Sequence, residues 1–113
     1  MTSSGLRGSY PLTHEGIAEN VPGSSPGAYA LGHVRDSKYY IQYVGRSDND
    51  VADRLGDHIG RYPRFKFECY GSAKAAFEKE CNLYHDFSPR DNSIHPDRPN
   101  GTHWKCPRCT IFD

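Results

Sequence analysis

Apolar positions along the chain follow two periods, and the switches between them outline the elements. Ala28 to Val34 and Tyr39 to Val44 are apolar and aromatic runs parted by the polar Arg35-Asp36-Ser37, which predicts a β-hairpin. The second run, with Tyr39, Tyr40, Ile41, Tyr43 and Val44, has the stronger strand composition. Gly45 closes the hairpin, and Ser47-Asp48-Asn49-Asp50 then offers helix N-caps. Val51, Leu55 and Ile59 recur every four residues, one stripe of a helix that Gly60 and Pro63 bound. Phe65, Phe67 and Cys69 alternate with Lys66, Glu68 and Tyr70, the period of a half-buried strand. Gly71 breaks that strand, and Ser72 caps a second helix running to about Asp86, with Pro89 just beyond. The order β, β, α, β, α predicts an α+β domain: a three-stranded antiparallel sheet with flanking helices, then an irregular C-terminal tail.

The two ends differ from the middle. Residues 1–26 hold four Gly, five Ser and three Pro, a composition that buries too little surface to offset ordering entropy. About the first 15 residues read as disordered, and Ile17 to Pro26 as an irregular lead-in. The chain therefore divides into a disordered segment, 1–19, a folded domain, 20–92, and a tail, 93–113. A length of 113 residues accommodates one domain and a tail, and a hydrophobic fraction of 35% implies a small core. No run approaches the roughly 18 apolar residues of a membrane span. No secretory signal is visible either, which points to the cytoplasm, and to the nucleoid in a prokaryote. Fourteen basic residues against fourteen acidic ones exclude a broadly polycationic nucleic-acid binder, while leaving room for a local basic patch.

Several residues stand out against this frame. Glu80 falls inside the apolar stripe of the second helix, drawn through Ala73, Ala76, Phe77, Leu83, Tyr84 and Phe87. A carboxylate there is costly unless it is paired, so it either reaches solvent or an arginine from the stripe's edge, or binds a metal. Arg54 and His58 stand one turn apart on the first helix, either a solvated face or a phosphate grip. Tyr29 and Tyr43 on the two hairpin strands suit packing with satisfied hydroxyls.

Taken together, the order of these residues resembles the GIY-YIG nuclease superfamily over roughly residues 20–92. Its two name-giving tripeptides would be Gly27-Ala28-Tyr29 and Tyr43-Val44-Gly45, with Ala28 and Val44 standing where isoleucine is usual. The resemblance implies a metal-dependent DNA endonuclease or nickase. Tyr29 and Tyr43 would line the site and orient or deprotonate the attacking water, Arg54 and His58 would contact the phosphate, and Glu80 would bind a single Mg²⁺ or Mn²⁺. Asn92 would brace the site, and Arg46 would be a further phosphate contact. A tyrosine serving as general base needs a pKa depressed by the metal or by Arg54. The alternative is a non-catalytic nucleic-acid-binding module of the same fold.

Two further groups are open. Arg61, Arg64 and Lys66 interleave with Tyr62, Phe65 and Phe67, which makes either a phosphate-tracking patch on DNA or a solvated strand edge. His103-x-x-Cys106-Pro107-Arg108-Cys109 has metal-ligand spacing, and with His95 would complete four ligands for a structural Zn²⁺; otherwise it is a free dithiol. Cys69 and Cys81 read as small core residues. So short a chain would draw target specificity from a homodimer or a protein partner.

Overall fold

A computed structural model describes residues 4–113. The expected hairpin forms as β2 (Gly27–Arg35) and β3 (Lys38–Ser47), and the alternating segment as β4 (Arg64–Cys69). A strand precedes them, β1 (Arg7–Pro11), so the antiparallel sheet has four strands in the order β1-β4-β2-β3, not three. A helix follows it, α1 (His14–Asn20), capped by the Thr13 hydroxyl accepting from Gly16 N–H at 2.9 Å. The expectation of disorder fails over these two elements; for residues 1–3 it lies outside the described residues. Mean composition hid the cause, since Leu12, Ile17 and Val21 supply enough apolar contact to dock the segment on the sheet.

The remaining helices are α2 (Val51–Gly56), capped by Asp50, and α3 (Ala73–Phe87), capped by Ser72. The α2 helix is shorter than its stripe predicts. After Gly56 the chain tightens into turns bonded three residues back, His58 N–H to Leu55 O and Ile59 N–H to Gly56 O. His58 therefore lies past the helix end, not on its face.

Strand alternation sorts the core onto two faces. Tyr29, Leu31, Phe65 and Phe67 pack with Val51 and Leu55 of α2 and Ile17 of α1. Ala28, Ala30 and Val44 pack with Leu83 of α3 on the other face. Ala28, fully buried, keeps that face low beneath α3. Two glycines of the tripeptides are explained by close approach. A side chain at Gly27 would come within 2.6 Å of Glu68 O, and one at Gly45 would collide with the Tyr29 ring.

Residues 88–113 form neither helix nor strand. They still do structural work at the sheet edge. Val44 N–H donates to Asn92 Oδ1 at 2.7 Å, Asn92 Nδ2 donates to Val44 O at 3.0 Å, and Asp91 N–H donates to Gln42 O at 2.8 Å. At Gln42 and Val44 the outward groups of edge strand β3 are thus satisfied by the tail. No helix among the described residues is long and apolar enough to cross a membrane.

Candidate functional site

A polar pocket of 260 Å³ opens beside the outer end of β3. Because β3 is an edge strand, side chains from both faces of the sheet reach it. Tyr29, Tyr43, Gly45 and Arg46 come from the hairpin, Arg54 from α2 and Glu80 from α3. Asp48 and Asp97 complete the lining. Five of the residues singled out in the sequence, Tyr29, Tyr43, Arg46, Arg54 and Glu80, thus meet in one place.

His58 stands behind the tyrosines. Its Nε2 is 3.0 Å from the Tyr29 hydroxyl, and its ring lies 5.5 Å from that of Tyr29 and 5.3 Å from that of Tyr43. Burial, reinforced by the Arg61 and Arg54 guanidiniums, holds the His58 pKa below its ordinary value. The ring is accordingly neutral at neutral pH. Both tyrosines are shifted the other way: burial raises them, with Arg54 only partly opposing. The depressed phenol that a base role requires is therefore not what the protein alone provides, and both hydroxyls stay protonated.

Glu80 is 8% exposed, and its pKa is raised by burial against the pull of Arg46. Arg46 Nη1 donates to Glu80 Oε1 at 2.7 Å, while Arg46 Nε donates to Asp48 Oδ1 at 2.9 Å. Of the ways a carboxylate can be tolerated in an apolar stripe, an arginine partner is the one present. Arg46 also lies 5.1 Å over the Phe77 ring, so its guanidinium is fixed from two sides. This makes Arg46 a carboxylate partner before it is a phosphate contact. Arg54 is exposed at the pocket mouth.

The remaining basic residues separate. Arg61 is exposed and lies near Tyr43 and His58. Arg64 is tied to β1, donating from Nε to Ser9 Oγ at 2.7 Å and from Nη2 to Ser9 O at 2.8 Å. Lys66 sits 4.9 Å over the Tyr39 ring. Strand parity puts Arg64 and Lys66 on the sheet face opposite Phe65 and Phe67, so the two do not form one patch with Arg61.

A second group of ligand-type side chains lies further along α3. His85, His95, Cys106 and Cys109 bring their ligand atoms within 4.8 Å of one another, a cluster that could hold a metal ion. Cys106, Cys109 and His95 were marked by spacing; His103, the fourth expected member, is exposed, and His85 stands in its place. The reason is local packing. Trp104 lays its ring against Phe77, 5.9 Å between centroids, which turns the neighbouring His103 to solvent. Cys81 is fully buried as expected, beside Cys106 but outside the cluster, and Cys69 is half-buried.

Compared with protein-family models, curated proteins and solved structures, the chain matches none of them. The site's own geometry carries the functional reading.

Proposed function

We propose that the pocket is the active site of a metal-dependent nuclease that hydrolyses phosphodiester bonds in DNA. The observation that carries this reading is the convergence of Glu80, Arg54 and a Tyr29–His58 hydrogen bond on one polar pocket. Three carboxylates, Glu80, Asp48 and Asp97, face two guanidiniums there, and all the anionic donors are oxygens. Such a donor set fits a hard divalent cation, Mg²⁺ or Mn²⁺, held by Glu80 with help from Asp97. A cation bound there supplies Lewis-acid stabilisation of the charge developing on the phosphate.

The chain's own groups do the rest. Arg54 grips a non-bridging phosphate oxygen with its planar fork. With its proton on Nδ1, His58 accepts the Tyr29 hydroxyl hydrogen bond through Nε2. As the water oxygen bonds to phosphorus and the ester P–O bond breaks, the water proton passes to the Tyr29 oxygen and the Tyr29 proton to His58, while the leaving alkoxide takes a proton from solvent water and His58 then returns its own to solvent. Tyr29 then never needs to exist as a free phenolate, in keeping with its raised pKa. Tyr43, also protonated, donates to the phosphate or the water. Arg46 holds the Glu80 carboxylate in place. In the tail, the nitrogen and sulfur donors suit zinc far better than Mg²⁺ or Mn²⁺.

A second reading, nucleic-acid binding without turnover, is favoured by one observation. Arg46 already occupies one Glu80 oxygen at 2.7 Å and competes with a cation for it. The two readings separate on a panel of duplex, branched and single-stranded DNA incubated with Mg²⁺ or Mn²⁺. Cleavage that EDTA abolishes is expected for the nuclease. DNA binding that survives EDTA, with every substrate intact, favours the binding module and overturns the nuclease.

A further inference from the structure

The His/Cys cluster has geometry that a chance meeting of side chains does not require. His85 Nε2 and His95 Nε2 are 3.3 Å apart, and Cys109 Sγ is 3.4 Å from His95 Nε2. Zinc bound to nitrogen at about 2.05 Å and to sulfur at about 2.3 Å with tetrahedral angles places two nitrogens about 3.3 Å apart, and nitrogen and sulfur about 3.5 Å apart. The two separations from His95 are already at that spacing, and all four ligand atoms lie within 4.8 Å of one another.

Its surroundings are those of a ligand set. His95 Nδ1 is 2.7 Å from Pro96 O, and donating its hydrogen there leaves the Nε2 lone pair aimed at the other three ligands. The Arg108 N–H donates to Cys106 Sγ at 3.4 Å, the amide-to-sulfur bond that stabilises a thiolate in a Cys-x-x-Cys turn. Cys106 and Cys109 are not joined to each other, and Cys106 is 6% exposed. Four ligands of the N₂S₂ type complete a tetrahedron and leave no open position, the mark of a structural site.

We propose that His85, His95, Cys106 and Cys109 bind one Zn²⁺ as a closed clamp that fastens the tail to α3. This deepens the zinc reading of the tail and is independent of the nuclease reading, because its readout is metal content. Only His85 comes from a regular element; the other three ligands come from a tail that forms neither helix nor strand. The metal therefore ties a segment with few internal backbone bonds of its own to the longest helix. Around it the tail adds a small apolar contact, Trp104 and Phe112 against Phe77 with ring centroids 5.9 and 6.0 Å away and Cys106 beside Cys81, and an ion pair from Arg108 to Asp86. The clamp also sets the position of Asp97, two residues after the ligand His95 and part of the lining of the polar pocket.

The test compares zinc content and Co²⁺ spectra of the full chain purified without chelator. Wild type and His103→Ala are expected to carry about one equivalent of zinc, and His85→Ala less than about a fifth of that. Replacing zinc by Co²⁺ is expected to give the strong visible bands of a tetrahedral site with two thiolates. Should His85→Ala fail to fold, His85→Cys answers the same question: it is expected to keep the metal and to intensify the thiolate-to-cobalt band. Removing zinc from wild type is expected to speed amide exchange over residues 94–109 by at least about tenfold, while β2 and β3 stay protected. The proposal is overturned if wild type takes up no stoichiometric zinc, if His103→Ala loses zinc while His85→Ala keeps it, or if tail exchange is unchanged on chelation.

Discussion

Two ligand groups sit on one helix and differ in nearly every respect. Glu80 of α3 faces a pocket of oxygen donors at the edge of the sheet, and its charge is met by the Arg46 guanidinium. His85, five residues further along the same helix, faces nitrogen and sulfur donors gathered within 4.8 Å, with His95 Nε2 at zinc-ligand spacing from His85 and Cys109. The first group is open, holds an exposed arginine at its mouth and keeps protonated hydroxyls beside a neutral imidazole. The second closes on itself. Hard donors with room for substrate suit catalysis, and soft donors without it suit architecture. A helix can serve both because positions five apart lie on different sides of it.

Substitutions can break the comparison from either end. The largest effect is expected for Glu80→Gln, which removes the anionic ligand but keeps the side chain's size. Cleavage should fall by about 10²–10³-fold, the scale of losing one electrostatic stabiliser of the transition state, while zinc content stays unchanged. Arg54→Ala should lower kcat/KM by about 10²-fold with little change in Tm, because Arg54 is exposed and only its phosphate contact is lost.

The Tyr29–His58 pair predicts a pH profile. Burial lowers the His58 pKa below its ordinary 6.5, so the ring binds fewer protons in the folded protein than unfolded. The stability tied to this group is complete above pH 6.5 and is lost as pH falls through the depressed value. Cleavage should follow the same direction, rising with pH along an acid limb whose midpoint lies below 6.5. In His58→Ala, kcat/KM should drop by about 10²-fold and this limb should flatten. A limb unchanged in the variant would assign the proton transfer to another group.

The smallest effect on chemistry is expected for Asn92→Ala. Asn92 makes two hydrogen bonds to the Val44 main chain and does not line the polar pocket. Its loss should destabilise the fold by about 1–3 kcal/mol, read by denaturant unfolding, with kcat nearly intact. A large fall in kcat at unchanged stability would move Asn92 into the catalytic machinery.

What the sequence displays and what it hides follow from range. The hairpin, the Ser72 cap and the place of Glu80 in an apolar stripe are local signals, and the hairpin, cap and stripe all reappear. The tyrosines and Arg54 meet because turns and periodicity already fix the short elements that carry them. The first strand and helix were masked because twelve Gly, Ser and Pro among the first 26 residues outweighed three well-placed apolar side chains. His85 and Asp97 were hidden for another reason. Each becomes functional only when a tail without secondary structure folds back on α3, a contact no local spacing encodes. His103 had the better spacing and lost its place to the packing of Trp104 on Phe77. The raised pKa values of Tyr29 and Tyr43 likewise depend on burial in three dimensions.

The central claim is that the oxygen pocket, and not the nitrogen–sulfur cluster, performs the chemistry. Nicking of supercoiled DNA in Mn²⁺ by wild type and Glu80→Gln, at matched zinc content, tests it most directly. The pocket account predicts nicked circles from wild type and a rate lower by about 10²-fold or more from the variant. Equal rates from the two proteins, or no nicking by wild type, would contradict it.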